Sequence, residues 1–275
     1  MDILNALPAG DLGVLALGLV IAGVVGGLLS GVLGTAGGIV VVPVLYHVLA
    51  TLHLDAGVRM HVAIGTSLAA GLPAALAKAH GIKTDGDGQL VWRWYVPLLA
   101  GIVLGCALLA VLPGETLAVI FAVAATGVVL LTLLRAPPVR APMFPHLSVG
   151  LALAATTGVS ATITGMGGAT IAGPLLTICG VSPPRTQNVV ALSGAVVGAA
   201  ATLGAMIAGW RAQPLPPNSL GYVNLIGFAL FAPVLLLTEP AGAALAHMID
   251  TKRLRLVFSA LIAITTARML WDALA

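Results

Sequence analysis

Charged residues are scarce in this 275-residue sequence. Asp, Glu, Lys and Arg together make up 8% of it, against about 25% in an average soluble domain, and residues 12–54 contain none of the four. An ionised side chain at the bilayer centre costs about 2.5–3.5 kcal/mol on insertion scales, so an uncharged stretch of this length is typical of chain embedded in lipid. The scarcity of charge excludes a soluble globular protein and predicts a multi-pass protein of the cell (inner) membrane.

Cysteine is scarce as well. Cys106 and Cys179 each lie in an apolar run, which excludes a disulfide framework and a cysteine-based metal motif. We expect no metal and no cofactor. The net charge of +3 is better explained by basic cytoplasmic loops than by nucleic-acid binding. The N-terminus lacks the basic region of a cleaved signal peptide, so we expect the first span to remain in the mature protein.

Apolar residues make up 59% of the sequence, and they predict an all-α integral membrane protein with 8–10 transmembrane segments. The apolar segments fall into two sets of five, at about 12–32, 34–50, 60–80, 92–112 and 116–134, and then at about 147–164, 167–180, 186–209, 220–238 and 254–273. Between the sets, a Pro-rich basic stretch cannot continue a helix. The predicted organisation is a first transmembrane repeat over 1–134, a linker over 135–146 and a second transmembrane repeat over 147–275.

The two sets resemble copies of one another. The glycine string Gly34–Pro43 (GTAGGIVVVP) has a counterpart in Gly165–Pro174 (GMGGATIAGP), and Arg59–Ser67 aligns with Arg185–Ser193 at the same spacing. With five crossings per half and the N-terminus outside, nine Lys and Arg side chains fall inside and three outside, as the positive-inside rule expects. An odd number of crossings per half predicts inverted repeats. Re-entrant glycine segments would leave four crossings per half and remove that argument.

Helix geometry requires a break at the first string. A straight helix over 12–50 would be about 58 Å long at about 1.5 Å per residue, roughly twice the hydrocarbon thickness of a bilayer. The chain must therefore turn back near Gly34–Gly38, and the segment that follows is either a short crossing or a re-entrant half-helix. Duplicated helix breaks are the sequence feature that best indicates the substrate site of a transporter.

In these motifs the chain resembles the sulfite exporter TauE/SafE family of membrane permeases (toluene sulfonate uptake permease-like proteins). Members of that family carry a glycine string ending in proline once in each half, with a Gly-Thr-Ser element downstream. Gly65–Ser67 (GTS) matches the element, whereas Ala191–Ser193 (ALS) keeps only the serine. The resemblance covers about residues 12–273. It implies transport of sulfite, an organosulfonate or another small sulfur-containing anion, with export from the cytoplasm.

The residues themselves also favour an anion site. A helix that begins inside the membrane presents unpaired N–H groups and the positive end of its dipole, and glycine lets a ligand approach that backbone closely. Two such helix starts near the midplane would hold an anion through N–H donors, with hydroxyl and amide side chains adding contacts. The predicted substrate-binding residues are the glycines and polar residues of these segments: Gly34, Thr35, Gly37, Gly38, Thr66, Ser67, Gly165, Gly167, Gly168, Thr170, Asn188 and Ser193.

An alternating-access membrane permease is the predicted function. An anion channel and an uptake carrier for another small organic anion stay open as alternatives. An intramembrane hydrolase would need Ser160 as nucleophile with His146 or His247 as base, and nothing in the sequence places these residues together. We therefore predict a protein with no catalytic residues, not an enzyme.

The expected partners are a small anionic substrate and membrane lipid, and no nucleic acid. Glu115 and Glu239 each lie at the end of an apolar segment and are interpreted as interfacial. Without a buried acid, the sequence leaves the driving force open, including proton coupling. It also leaves open whether the chain forms a homodimer.

Overall fold

The computed structural model describes residues 20–21, 23–32, 37–52, 54–82, 88–134, 147–179, 183–212, 214–245 and 251–274. These residues form ten helices and one short antiparallel hairpin, β1 (Ser219–Leu220) with β2 (Val223–Asn224). The helices are α1 (Gly23–Val32), α2 (Gly38–Thr51), α3 (Ala56–His80), α4 (Gly88–Val111), α5 (Gly114–Leu134), α6 (Leu147–Thr164), α7 (Gly168–Ile178), α8 (Pro183–Ala208), α9 (Leu225–Leu245) and α10 (Thr251–Leu274).

The prediction of an all-α membrane protein is confirmed. Five of the described helices, α3, α4, α5, α8 and α9, are long and apolar enough to cross a membrane by length and composition, and α1, α2 and α6 are shorter apolar helices. Large apolar side chains such as Val103, Ile207 and Leu237 are 70–75% exposed. Exposure of this kind along apolar helices suits contact with lipid tails rather than water.

The observed helices follow the predicted segments to within a few residues where the structure describes them, with one correction. The predicted segment 220–238 is shifted: α9 begins after the hairpin turn, where Gly221 has φ +56°, and continues to Leu245. The helix includes Pro240 and Glu239, which the sequence predicts to lie at the end of the apolar segment. Inside the protein, Lys78 Nζ lies 2.6 Å from Glu239 Oε1 and compensates the charge of the carboxylate.

Both glycine strings interrupt helices, as predicted. In the second string α6 ends at Thr164 and α7 begins at Gly168, with Gly165 at φ +69° and Gly167 at φ +81° between them. Glycine adopts such positive φ values at little cost, which explains its presence at these two positions. In the first string α2 begins at Gly38 after its N-cap Gly37, and residues 33–36 lie outside the described ranges.

The two short helices, α2 and α7, start at a common crossing point. Gly38 packs against the Gly165 carbonyl and the Met166 backbone so closely that a Cβ atom on Gly38 would clash with both. A Cβ atom on Gly165 would in turn lie 3.0 Å from Ile64 Cα and from the Val42 side chain. The absence of side chains on these glycines therefore allows the strings to touch beside α3.

From that crossing point α2 and α7 run in opposite directions. Helix α2 packs against α3 after a short connection, so these two helices are antiparallel. Close contacts show that α7 and α3 are each antiparallel to α8. Helices α3 and α7 therefore run in the same direction, opposite to that of α2. Opposite directions are what inverted repeats require, although the inverted relation of the halves stays a prediction. The contacts are Gly168 with Ser193 and Gly173 with Val190 for α7 and α8, and Ala75 with Gly194 and Leu72 with Gly198 for α3 and α8.

Asn224 fixes the start of α9 against α3. Its Oδ1 accepts a hydrogen bond from the Gly227 N–H (2.9 Å), as an N-capping side chain does. Its Nδ2 donates to the Pro217 carbonyl and the Ser219 hydroxyl, both at 3.1 Å. The Asn224 backbone N–H donates to Thr66 Oγ1 (2.9 Å) in the middle of α3. One side chain thus connects the hairpin to the helix that follows it.

Candidate functional site

A cavity lies beside the crossing point of the two strings, with about 550 Å³ of empty space when the open space at its mouth is included. Helix α3 lines it with Ser67, Gly71, Ala74 and Lys78, which share one face because they are three or four residues apart. Small residues of α8 line the wall that packs against this face, and Leu235 and Glu239 of α9 line a further side. The cavity is therefore narrow, mostly apolar and enclosed by helices from both halves of the chain.

Backbone atoms of both strings face the cavity. Gly37, Gly38, Gly165 and Gly167 line it, and a glycine presents only main-chain atoms. Gly37 and Gly167 are the N-caps of α2 and α7, and as glycines neither of them provides a side-chain cap. The first N–H groups of a helix have no partner within the helix, and they form the positive end of its dipole. Two helix N-termini therefore meet at this cavity.

Ser67 provides a hydroxyl at the same place. The side chain is 2% exposed, and its Oγ donates a hydrogen bond to the Gly165 carbonyl at 3.0 Å. This bond connects α3 to the glycine turn between α6 and α7. Ser67 therefore holds the second string in position and contributes a polar atom to the cavity.

An ion pair lines the cavity on the side where α3 and α9 approach each other. Lys78 Nζ and Ser30 Oγ both donate to Glu239 Oε1, each at 2.6 Å. The Glu239 side chain is 7% exposed, whereas that of Lys78 is 40% exposed. The carboxylate is therefore inside the protein, and the ammonium group lies between it and the surface.

The structure brings five of the predicted site residues to the cavity: Gly37, Gly38, Ser67, Gly165 and Gly167. Gly34 and Thr35 lie outside the described residues. The other five are elsewhere, and their role in binding stays a prediction. Gly168 packs on the Ser193 carbonyl, and Asn188 is exposed on α8. The hydroxyl of Thr66 accepts a hydrogen bond from the Asn224 N–H, and that of Thr170 donates to the Met166 carbonyl. The hydroxyl of Ser193 accepts a hydrogen bond from the Trp94 indole N–H.

Sequence reasoning missed the two charged residues of the cavity. Glu239 was interpreted as interfacial, but it is buried. Each residue carries a sequence signal that marks it as a candidate, although neither signal indicates that the two form a pair. Lys78 continues the helical spacing that begins with Ser67 and Gly71, and Glu239 directly follows the apolar run of α9. An ionisable residue in a transmembrane helix is a functional candidate by default.

The fold and the cavity define a multi-pass membrane protein with broken helices around a small internal site. Residues 19–269 match the family described as sulfite exporter TauE/SafE, and the chain belongs to this family. It is therefore a membrane transporter. It is 25% identical over 258 residues to a probable membrane transporter protein of Haemophilus influenzae, with 90% of this chain and 96% of that protein covered. No solved structure matches the chain significantly.

Proposed function

We propose that this transporter moves a small sulfur-containing anion, such as sulfite or an organosulfonate, and binds it in the cavity where the two glycine strings meet. The observation that carries the proposal is the meeting of two uncapped helix N-termini, at Gly37 and Gly167, on one enclosed space. Transport proceeds by alternating access, with the cavity exposed first to one side of the membrane and then to the other.

An oxyanion suits this arrangement for a chemical reason. Sulfite and sulfonate groups offer three oxygen acceptors, and the uncapped helix starts offer N–H donors that are not used within the helices. Because the lining glycines have no side chains, the oxygens can approach the main chain closely. Ser67 lines the cavity and donates its hydroxyl to the Gly165 carbonyl, so its contribution is to hold the second string in position. The site can thus bind the anion by hydrogen bonds and helix dipoles without a full positive charge at the crossing point.

The family description supports the sulfur chemistry of the cargo and its export from the cytoplasm. The cavity supports a small cargo, because helices enclose it and its lining is mostly apolar. Alternating access also fits the position of the cavity beside the contact between Gly38 and Gly165, where elements of both halves meet.

The test is a flux measurement on the purified protein in proteoliposomes. Sulfite, sulfoacetate, taurine, sulfate and a carboxylate of similar size are offered in turn, and uptake is measured by mass spectrometry. We expect saturable flux of sulfite or sulfoacetate above that of empty liposomes. Absence of flux for every sulfur compound would contradict the proposed cargo, and flux that rises linearly with concentration would contradict a carrier.

A further inference from the structure

The Lys78–Glu239 pair is held in place by the packing of three helices. Helix α1 approaches α9 through Gly23, Gly27 and Gly31, which are spaced four residues apart and so face the same neighbour. A Cβ atom at Gly31 would clash with the Glu239 carbonyl, so the approach depends on the missing side chain. This packing brings Ser30 to the carboxylate. Three helices thus contribute to one hydrogen-bonded group.

Breaking the ion pair would have different consequences for Glu239 and for Lys78. Glu239 is nearly enclosed, and a buried carboxylate without its counter-ion is strongly unfavourable. Lys78 is 40% exposed and has a flexible stem, so its ammonium group can reach another anion without leaving water completely. Both residues line the cavity that holds the uncapped helix starts.

We propose that Lys78 binds the transported anion, that the Glu239 carboxylate occupies Lys78 until the anion displaces it, and that the displaced carboxylate takes up a proton from water, so that no unpaired charge stays buried. This inference rests on the proposed function, since it concerns an anion that enters the same cavity. Cargo and Glu239 compete for one ammonium group, so the ion pair closes the cavity when no anion is bound. Lys78 attracts anions to the cavity, and the Glu239 carboxylate delays them because it occupies the ammonium group.

The test uses a reactive anion that reports arrival in the cavity without any need for transport. Ala75 lines the cavity one turn from Lys78. In a background with Cys106→Ala and Cys179→Ala, the variant Ala75→Cys carries a single thiol. Its labelling rate is measured with an anionic reagent, sulfonatoethyl methanethiosulfonate, and with a cationic one, trimethylammonioethyl methanethiosulfonate. The ratio of the two rates reports the charge preference at the site.

In the Ala75→Cys background, K78M should slow the anionic reagent by about tenfold, the lower end of what a charged cleft adds to local ion concentration. K78R should retain the rate. E239Q should speed the anionic reagent several-fold, since the competing carboxylate is gone. The matched control E115Q removes an exposed glutamate at the start of α5 and should change neither rate.

If K78M does not yield monodisperse protein, the K78M/E239Q double variant leaves no unpaired charge and should show the same slow anionic labelling. If the anionic reagent labels K78M or this double variant as fast as the Ala75→Cys protein alone, the proposed role of Lys78 is wrong. If E239Q does not raise the labelling rate of the anionic reagent, Glu239 does not compete with the anion for Lys78. Failure of the cargo is seen separately: the wild-type protein would then carry no sulfur anion in proteoliposomes, while the labelling ratios would still respond to Lys78 and Glu239.

Discussion

The glycines of the two strings differ in how closely other atoms pack against them. Gly38 and Gly168 follow the two helix breaks, and a Cβ atom on either would meet backbone atoms of another element. Gly173 lies one turn further along α7, and a Cβ atom there would be 3.9 Å from its nearest neighbour, Val190. The sequence shows that these positions are glycine, but only the packing shows at which of them a side chain would clash.

Substitution by alanine should therefore separate these positions. G38A and G168A each force backbone atoms apart, which we expect to lower the free energy of unfolding by about 1–3 kcal/mol. G173A creates no clash and replaces a helical glycine, so it should leave stability unchanged or slightly raised. The thermal midpoint of each purified variant in detergent is the measurement. A G168A protein as stable as G173A would show that the contact with Ser193 is not required.

At the scale of elements, most of the helical structure could be predicted from the sequence. Charge-free apolar runs have a length set by the bilayer, and glycine clusters interrupt them, so ten segments and two breaks follow from simple geometry. The start of α9 could not be predicted. Asn224 bonds to residues on both sides of this boundary, and the charge of Glu239 inside the helix is paired with Lys78 from another helix.

The cap of α9 gives a prediction at this scale. N224A removes the acceptor for the Gly227 N–H and both donated side-chain bonds, so we expect a loss of about 1–2 kcal/mol in unfolding free energy. N224D retains the acceptor and should lose less. Thermal unfolding of the purified variants in detergent measures both. An N224A variant as stable as the wild-type protein would mean that the hairpin is held by its other contacts.

At the scale of the whole molecule, the candidate site depends on distance in space rather than in sequence. The sequence predicts two helix starts near the midplane as an anion site, and the contact of Gly38 with Gly165 fits that arrangement. The charged pair was not predicted, since 161 residues separate Lys78 from Glu239 and nothing in a single sequence connects them. Inverted halves explain the opposite directions of α2 and α7 and remain to be tested.

Membrane sidedness tests that organisation. The positive-inside rule predicts that Arg140 lies inside and Arg211 outside. In the background without native cysteines, we expect Arg211→Cys to react with an impermeant thiol reagent in intact cells and Arg140→Cys to react only in inverted vesicles. Reaction of both positions from one side would rule out three crossings between them, by α6, α7 and α8, and with them the five crossings per half that the proposed inversion requires.

The most direct test of the central claim fills the cavity without disturbing the packing. Gly71 lines the cavity, and a Cβ atom there would have nothing within 4 Å. A leucine at this position suits a helix better than glycine and would extend into the empty space. Gly127 of α5 has equally open surroundings but does not line the cavity, so G127L is the matched control.

The measurement is the initial flux of the best-carried sulfur anion in proteoliposomes that contain equal amounts of wild-type, G71L or G127L protein. If the anion binds between the glycine strings, G71L should reduce flux to that of empty liposomes, and G127L should transport like the wild type. Wild-type flux through well-folded G71L protein would contradict the proposed site.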